Sequence, residues 1–226
     1  MIKSNSMVRE KDSGRLGLVC DLDEDVIGGL TDPSCVRTIA LFDAESRRDE
    51  WERREYFLDQ LAEVVETQGS RRCLVCSGFE CLIIENFWTE DTPLEERLAL
   101  RIMMKGEVAS IYFEQGFAGP VGLIGCLGPY EVGALHEAFS RARICEWRHF
   151  YGCKDWHIGG NEWIFTFIRG VEKVTTGGED NYHAGLEPLC NALRGIGLPV
   201  RFWSGHGLVI VSPRKMRKPK RLSESC

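Results

Sequence analysis

Short apolar runs closed by Gly, Pro, Asn or Asp recur along the whole chain, at 15–20, 35–42, 72–76, 81–86, 107–113, 120–126, 162–168, 200–203 and 208–211. They are too short for stable helices and rich in Val, Ile, Phe and Trp, so they read as strands. Two pairs are joined by tight turns. Ser77-Gly78-Phe79-Glu80 separates 72–76 from 81–86, and Ser204-Gly205-His206-Gly207 separates 200–203 from 208–211. Gly at the first central position is what a type II′ hairpin turn requires, and the first hairpin sets Cys76 opposite Cys81. Hairpins interleaved with helices favour an antiparallel sheet with helices packed on it. The expected class is therefore α+β.

Helical periodicity appears in four places. Asp43 caps a helix over 44–66, with Trp51, Leu58, Leu61, Ala62 and Val65 on one face. Thr92-Pro93-Leu94-Glu95 has the form of a capped start with Pro at the first helical position, predicting a helix over 93–105. A third spans 130–143, with Leu135, Ala138, Phe139 and Ala142 as its stripe. The fourth spans 186–194, with Leu186, Leu189, Cys190 and Leu193 inward and Pro188 in its first turn. The polar stretch 170–181 reads as a loop. Strand, helix and hairpin thus follow one another twice, at about 35–86 and 162–211, with Ser77-Gly78 falling on Ser204-Gly205 at an offset of 127. This predicts two β-α-β-β modules joined by a helix-strand-strand middle section, with a recess between them.

At 226 residues, 43% apolar and 27% charged, the chain is long enough for one sizeable core. Residues 15–213 are expected to form a single domain, with a disordered segment at 1–14 and a disordered basic tail at 214–226. That tail holds Arg214, Lys215, Arg217, Lys218, Lys220 and Arg221, and the rest of the chain carries 22 basic against 33 acidic residues. A body so acidic repels nucleic acid, so nucleic-acid contact or a nuclear address would fall to the tail. No apolar run is long enough to cross a bilayer, and the first residues lack the apolar core of a signal peptide. Ten cysteines scattered through apolar runs fit reduced core residues in a cytoplasmic chain better than a disulfide scaffold.

The densest chemistry lies at Cys145-Glu-Trp-Arg-His149-Phe-Tyr-Gly-Cys153-Lys-Asp-Trp-His157. Cys145, His149, Cys153 and His157 carry the side chains zinc prefers, yet a single extended strand of that length spans about 40 Å and cannot wrap one ion. A helix broken at Gly152 could. The alternatives are a strand with one side in the core and one at the surface, or a pocket wall of rings and imidazoles, with Trp147, His149, Tyr151, Trp156 and His157 as ligand-binding residues. On this ground the leading expectation is a non-catalytic protein binding a small molecule or protein partner through a recess lined by aromatic, Cys and His side chains.

A metal-dependent enzyme acting on nucleotides or nucleic acid is the alternative. Asp21-Leu-Asp23 and, far downstream, Ser204-Gly-His206 resemble the acidic pair and Ser-x-His motif of archaeo-eukaryotic primase-type polymerases. That resemblance implies metal held by the acids and nucleotide phosphate held by the Ser-x-His strand. It covers only a handful of residues and supplies no third catalytic Asp, and hairpin chemistry explains the Ser-Gly equally. Gly116, Gly119, Gly122, Gly125 and Gly128 precede a helix, as in a phosphate loop, but Pro129 removes an amide donor there. A bulged strand or close backbone packing fits them better.

Overall fold

A computed structural model describes residues 2, 6–19, 36–42, 52–67, 71–88, 97–115, 121–152 and 160–212. In chain order the strands are β1 (Met7–Glu10), β2 (Leu16–Val19), β3 (Val36–Phe42), β4 (Glu52–Phe57), β5 (Leu61–Glu63), β6 (Val65–Glu66), β7 (Cys81–Trp88), β8 (Leu98–Lys105), β9 (Val108–Gln115), β10 (Val121–Leu127), β11 (Phe150–Tyr151), β12 (Asn161–Arg169), β13 (Glu172–Glu179), β14 (Val200–Trp203) and β15 (Gly207–Ile210). The helices are α1 (Arg71–Cys73), running into a wide turn at Leu74–Gly78, then α2 (Pro129–Ala142) and α3 (Leu186–Gly195). The protein is α+β with mostly antiparallel sheet.

The central sheet runs β10-β9-β8-β7-β12-β13, antiparallel throughout, and β6 and β11 add parallel pairs to β13. Strand alternation gives it two different faces. Leu82 and Ile84 of β7, Leu100 and Ile102 of β8, and Trp163, Phe165 and Phe167 of β12 form the main core with Leu135 and Phe139 of α2 and Leu189 and Leu193 of α3. Phe139 stands edge-on to Phe167 at 5.1 Å and to Phe165 at 6.1 Å, the offset geometry aromatic quadrupoles favour. The opposite face presents Cys81, Ile83 and Ile168, which meet Leu16 of a second sheet ordered β4-β3-β2-β1-β5 and Val64, which follows β5. Helices, central sheet and N-terminal sheet are thus stacked in that order. Among the described residues no helix is long and apolar enough to cross a membrane.

Several expectations are corrected. Over its described part, 52–66, the helix expected at 44–66 is β4, a 3-10 turn at Leu58–Gln60, β5 and β6. Its stripe placed Val65 inward, but Val65 is 50% exposed while Val64 is buried. Partner strands decide here: β4 pairs with β3, β5 with β1 and β6 with β13. The hairpin expected at 72–86 is also absent, because residues 71–78 coil and bury Leu74 and Val75 against the core. Cys76 therefore does not face Cys81. The helix expected at 93–105 is β8 over its described strand residues, seated between β7 and β9. The loop expected at 170–181 is largely β13, and the segment expected to be disordered at 1–14 contributes β1 to the second sheet. Among the described residues, 35–86 and 162–211 consequently follow different element orders, and neither is β-α-β-β. Strands 16–19, 36–42, 108–115, 121–127 and 161–169, helices 129–142 and 186–195, and the hairpin 200–210 do form. The bulge expected in the glycine run is seen as a register shift between Leu123 and Gly125.

Candidate functional site

α2 begins with Pro129 behind Gly128 and ends where Arg143 turns left-handed, its N–H bonding the carbonyls of Phe139 and Ser140. That turn leads into a 3-10 turn at Ile144–Glu146 and delivers Trp147 beneath the start of α3. The Trp147 indole N–H donates to the Ala142 carbonyl at 2.9 Å, and its ring stands edge-on to Trp163 at 6.3 Å. His183 lies over the same indole at 4.9 Å between ring centres and 31° between planes. Gly185 allows this approach, since a Cβ there would meet both His183 Nδ1 and Trp147 Cζ2 at 3.1 Å. His183 Nδ1 accepts the Gly185 N–H at 3.0 Å, which places the proton of a neutral imidazole on Nε2.

Between α2 and α3 lies an open groove of about 570 Å³, ended by Trp147 and His183. Ala134, Ala138, Leu189, Ala192 and Ile196 give it apolar sides. The alanine side chains are too short to fill the space between the two helices. Its rim charges pair with one another: Arg141 with Glu137 at 2.5 Å and Arg143 with Glu146 at 2.6 Å.

Of the expected ligand-binding residues, Trp147 lines this groove, at only 2% exposure. Tyr151 stacks on Trp163 instead, at 6.4 Å and 23°, and its hydroxyl accepts the Arg148 N–H. His149 is turned away on the edge of β13, 66% exposed, with Nδ1 at 3.2 Å from the Thr175 carbonyl and 3.9 Å from Glu66. Trp156, His157 and Cys153 lie outside the described residues, as do Asp21, Asp23 and the tail 214–221. The expected zinc set is thus described only at Cys145 and His149. Cys145 packs against the core and meets Cys76, whereas His149 faces outward. Among the described residues no three His, Cys, Asp or Glu gather as metal ligands. The groove lies beside a middle-section helix rather than between terminal modules.

The Cys76 and Cys145 thiols are in hydrogen-bonding contact, and burial together with the neighbouring sulfur pushes the Cys76 thiol up. Beside them His136 lies tilted against Phe79 at 4.9 Å and bonds the Cys76 backbone, and burial lowers its pKa. Cys81 and Cys190 differ in kind: buried in apolar surroundings, both are pushed up to about 12.

Ser204 and Gly205 form the turn between β14 and β15, with Gly205 at φ 90°. His206 Nδ1 lies 2.9 Å from Asp180 Oδ1, and Asp180 also accepts the Asn161 N–H at 3.0 Å. This carboxylate orients the imidazole, the relation a general base needs. Asp180 itself is left-handed, at φ 44°.

The face of the central sheet away from the helices holds a charged row. Ala99 sits opposite Glu85 on one side and Glu114 on the other, and Arg101, one pair along, forms an ion pair with Glu114. Burial pushes Glu114 up to about 7 against the pull of Arg101, and Glu85 is raised for the same reason. Arg97 lies over the Phe87 ring at 4.1 Å. Reading 93–105 as a helix hid this row, because helical spacing puts Arg97 and Arg101 on one face without Glu85 or Glu114. No motif in the sequence marks His183; only its distance from Trp147 in space does. No protein-family model, curated protein or solved structure matches this chain.

Proposed function

We propose that the chain is a binding protein rather than a catalyst, and that its ligand is a small molecule with a flat apolar body held between α2 and α3. The observation that carries this reading is a groove of about 570 Å³ ended by the Trp147–His183 ring pair. That size falls within the range of small-molecule sites, and apolar walls with a few polar groups are what such sites use. The rim charges are mutually paired, so the groove offers surface and stacking more than unbalanced charge. The His183 ring, with its Nδ1 occupied, can donate a single hydrogen bond through Nε2. Ala134, Ala138 and Ala142 recur every fourth residue along α2, so a partner's amphipathic helix is the competing occupant.

Titration with 1-anilinonaphthalene-8-sulfonate tests the reading. Saturable binding at one site is expected, weakened roughly tenfold or more by Ala192→Trp, which fills the groove from an exposed position. Dye binding equal in the parent and in Ala192→Trp, with both proteins folded, would reject it. A peptide helix that competes with the dye would instead identify the protein partner.

A further inference from the structure

Cys76 and Cys145 are far apart in sequence, yet the two turns that carry them pack against each other and bring their thiols within hydrogen-bonding reach. Cys76 sits in the middle of the wide turn that follows α1, and Cys145 in the 3-10 turn that follows α2. Both are half-buried, so a small oxidant can reach them while the surrounding core holds them in place. Cys81 and Cys190 are fully buried by comparison.

We propose that Cys76 and Cys145 are a modification site, closing to an intramolecular disulfide when a peroxide oxidises the protein. Burial and the neighbouring sulfur keep the Cys76 thiol protonated, so the Cys145 sulfur is the one that reacts first. The Cys145 sulfur attacks one peroxide oxygen. The O–O bond breaks, the thiol's proton leaves with the departing oxygen as water or alcohol, and a sulfenic acid forms on Cys145. The Cys76 sulfur then attacks that sulfenic sulfur. The S–S bond forms, the S–O bond breaks, and hydroxide leaves as water with the Cys76 proton. Two thiols and one peroxide thus give a disulfide with two molecules of water, or one of water and one of alcohol. The bridge would tie the exit of α2 to the turn at Leu74–Gly78. It stands apart from the ligand reading, although Arg143, Glu146 and Trp147 flank Cys145 on the groove wall.

Trypsin separates the two partners: the peptide 144–148 holds Cys145 as its single thiol, and the peptide 73–97 holds Cys73, Cys76 and Cys81. After hydrogen peroxide treatment of the full chain, mass spectrometry without reductant is expected to show these two peptides linked and lighter by two hydrogens. The link should vanish in Cys76→Ser and Cys145→Ser and persist in Cys73→Ser. In Cys76→Ser, dimedone should label 144–148, trapping the sulfenic acid that can no longer be resolved. If 144–148 stays unlinked in the oxidised parent protein, or if its link survives Cys76→Ser, the proposal fails.

Discussion

The side-chain amide of Asn86 donates to Oδ1 of Asn161 at 2.5 Å, buried where the β14–β15 hairpin meets the central sheet. Asn86 also donates to the carbonyls of Glu162 and Leu208, both at 3.1 Å, and accepts the Ile210 N–H at 3.4 Å. Asn161 donates to the carbonyls of His206 at 2.7 Å and Leu208 at 3.0 Å. Two amides on neighbouring strands thus satisfy a hairpin edge that no described strand pairs. Asn161→Leu is expected to cost about 2–4 kcal/mol, because buried carbonyls lose their donors and Asn86 loses its acceptor. Chemical denaturation would measure the loss, and hydrogen exchange should quicken first at Leu208 and Ile210. The double variant with Asn86→Ala should cost less than the two single changes added, since the pair acts as one network.

The buried Glu114 beside Arg101 makes stability depend on pH. Unfolded, a carboxyl loses its proton near 4.5; folded, this one holds it to about 7. Between those values the folded state binds more protons, so stability falls as pH rises through that window and returns as pH drops. Glu85 and Glu162 are raised by burial and act in the same direction. In Glu114→Gln the stability slope between pH 5 and 7 should flatten by up to about 1.4 kcal/mol per pH unit. An unchanged slope in urea titrations across that range would contradict the assignment.

Gly205 and Gly207 share a turn and a positive φ, of 90° and 85°, but differ in surroundings. A Cβ on Gly205 meets open space, whereas one on Gly207 would lie 2.7 Å from the Trp163 indole nitrogen. Gly205→Ala should cost about 1–2 kcal/mol from backbone strain alone. Gly207→Ala should cost at least about 1 kcal/mol more, because Trp163 is rigidly packed and cannot yield. Thermal melts of the two variants side by side check the difference.

Binding and folding can be separated at the ends of the groove. His183→Ala removes an exposed ring together with its bond from the Gly185 N–H and its contact with Trp147, and should cost about 1 kcal/mol while dye affinity falls several-fold. Trp147→Ala empties a buried site and should cost about 3–5 kcal/mol, so its binding loss would be uninformative. Trp147→Phe keeps a ring but drops the bond to the Ala142 carbonyl, giving an intermediate cost of about 1–2 kcal/mol.

Elements whose apolar pattern coincides with their final burial were legible. α3 is an instance: Leu186, Leu189, Cys190 and Leu193 recur at helical spacing and are all buried. β12 is another, with Trp163, Phe165 and Phe167 facing the helices. Misreadings came where local signals and pairing disagree. Leu61, Ala62 and Val65 fit a helical stripe, yet a strand that joins β1 and a two-residue strand that joins β13 use the same residues. Ser77-Gly78 looks like a hairpin turn, but Leu74, Val75 and Phe79 reach the core only if the chain coils there. β13 was invisible because Val174 is its one large buried apolar side chain; its strand state is imposed by β12 on one edge and by β6 and β11 on the other.

Residue order alone settled the α+β class, the two amphipathic helices, the C-terminal hairpin and the concentration of rings and thiols near Cys145, because each depends on side chains a few positions apart. Packing decided which of those groups meet. Cys76 finds Cys145 instead of Cys81, Trp147 finds His183, and Glu114 finds Arg101, since contacts across strands and between helices depend on register and on which face a coil presents. A sequence lists the donors, rings and thiols; the sheet's pairing and the closeness of α2 to α3 select their partners.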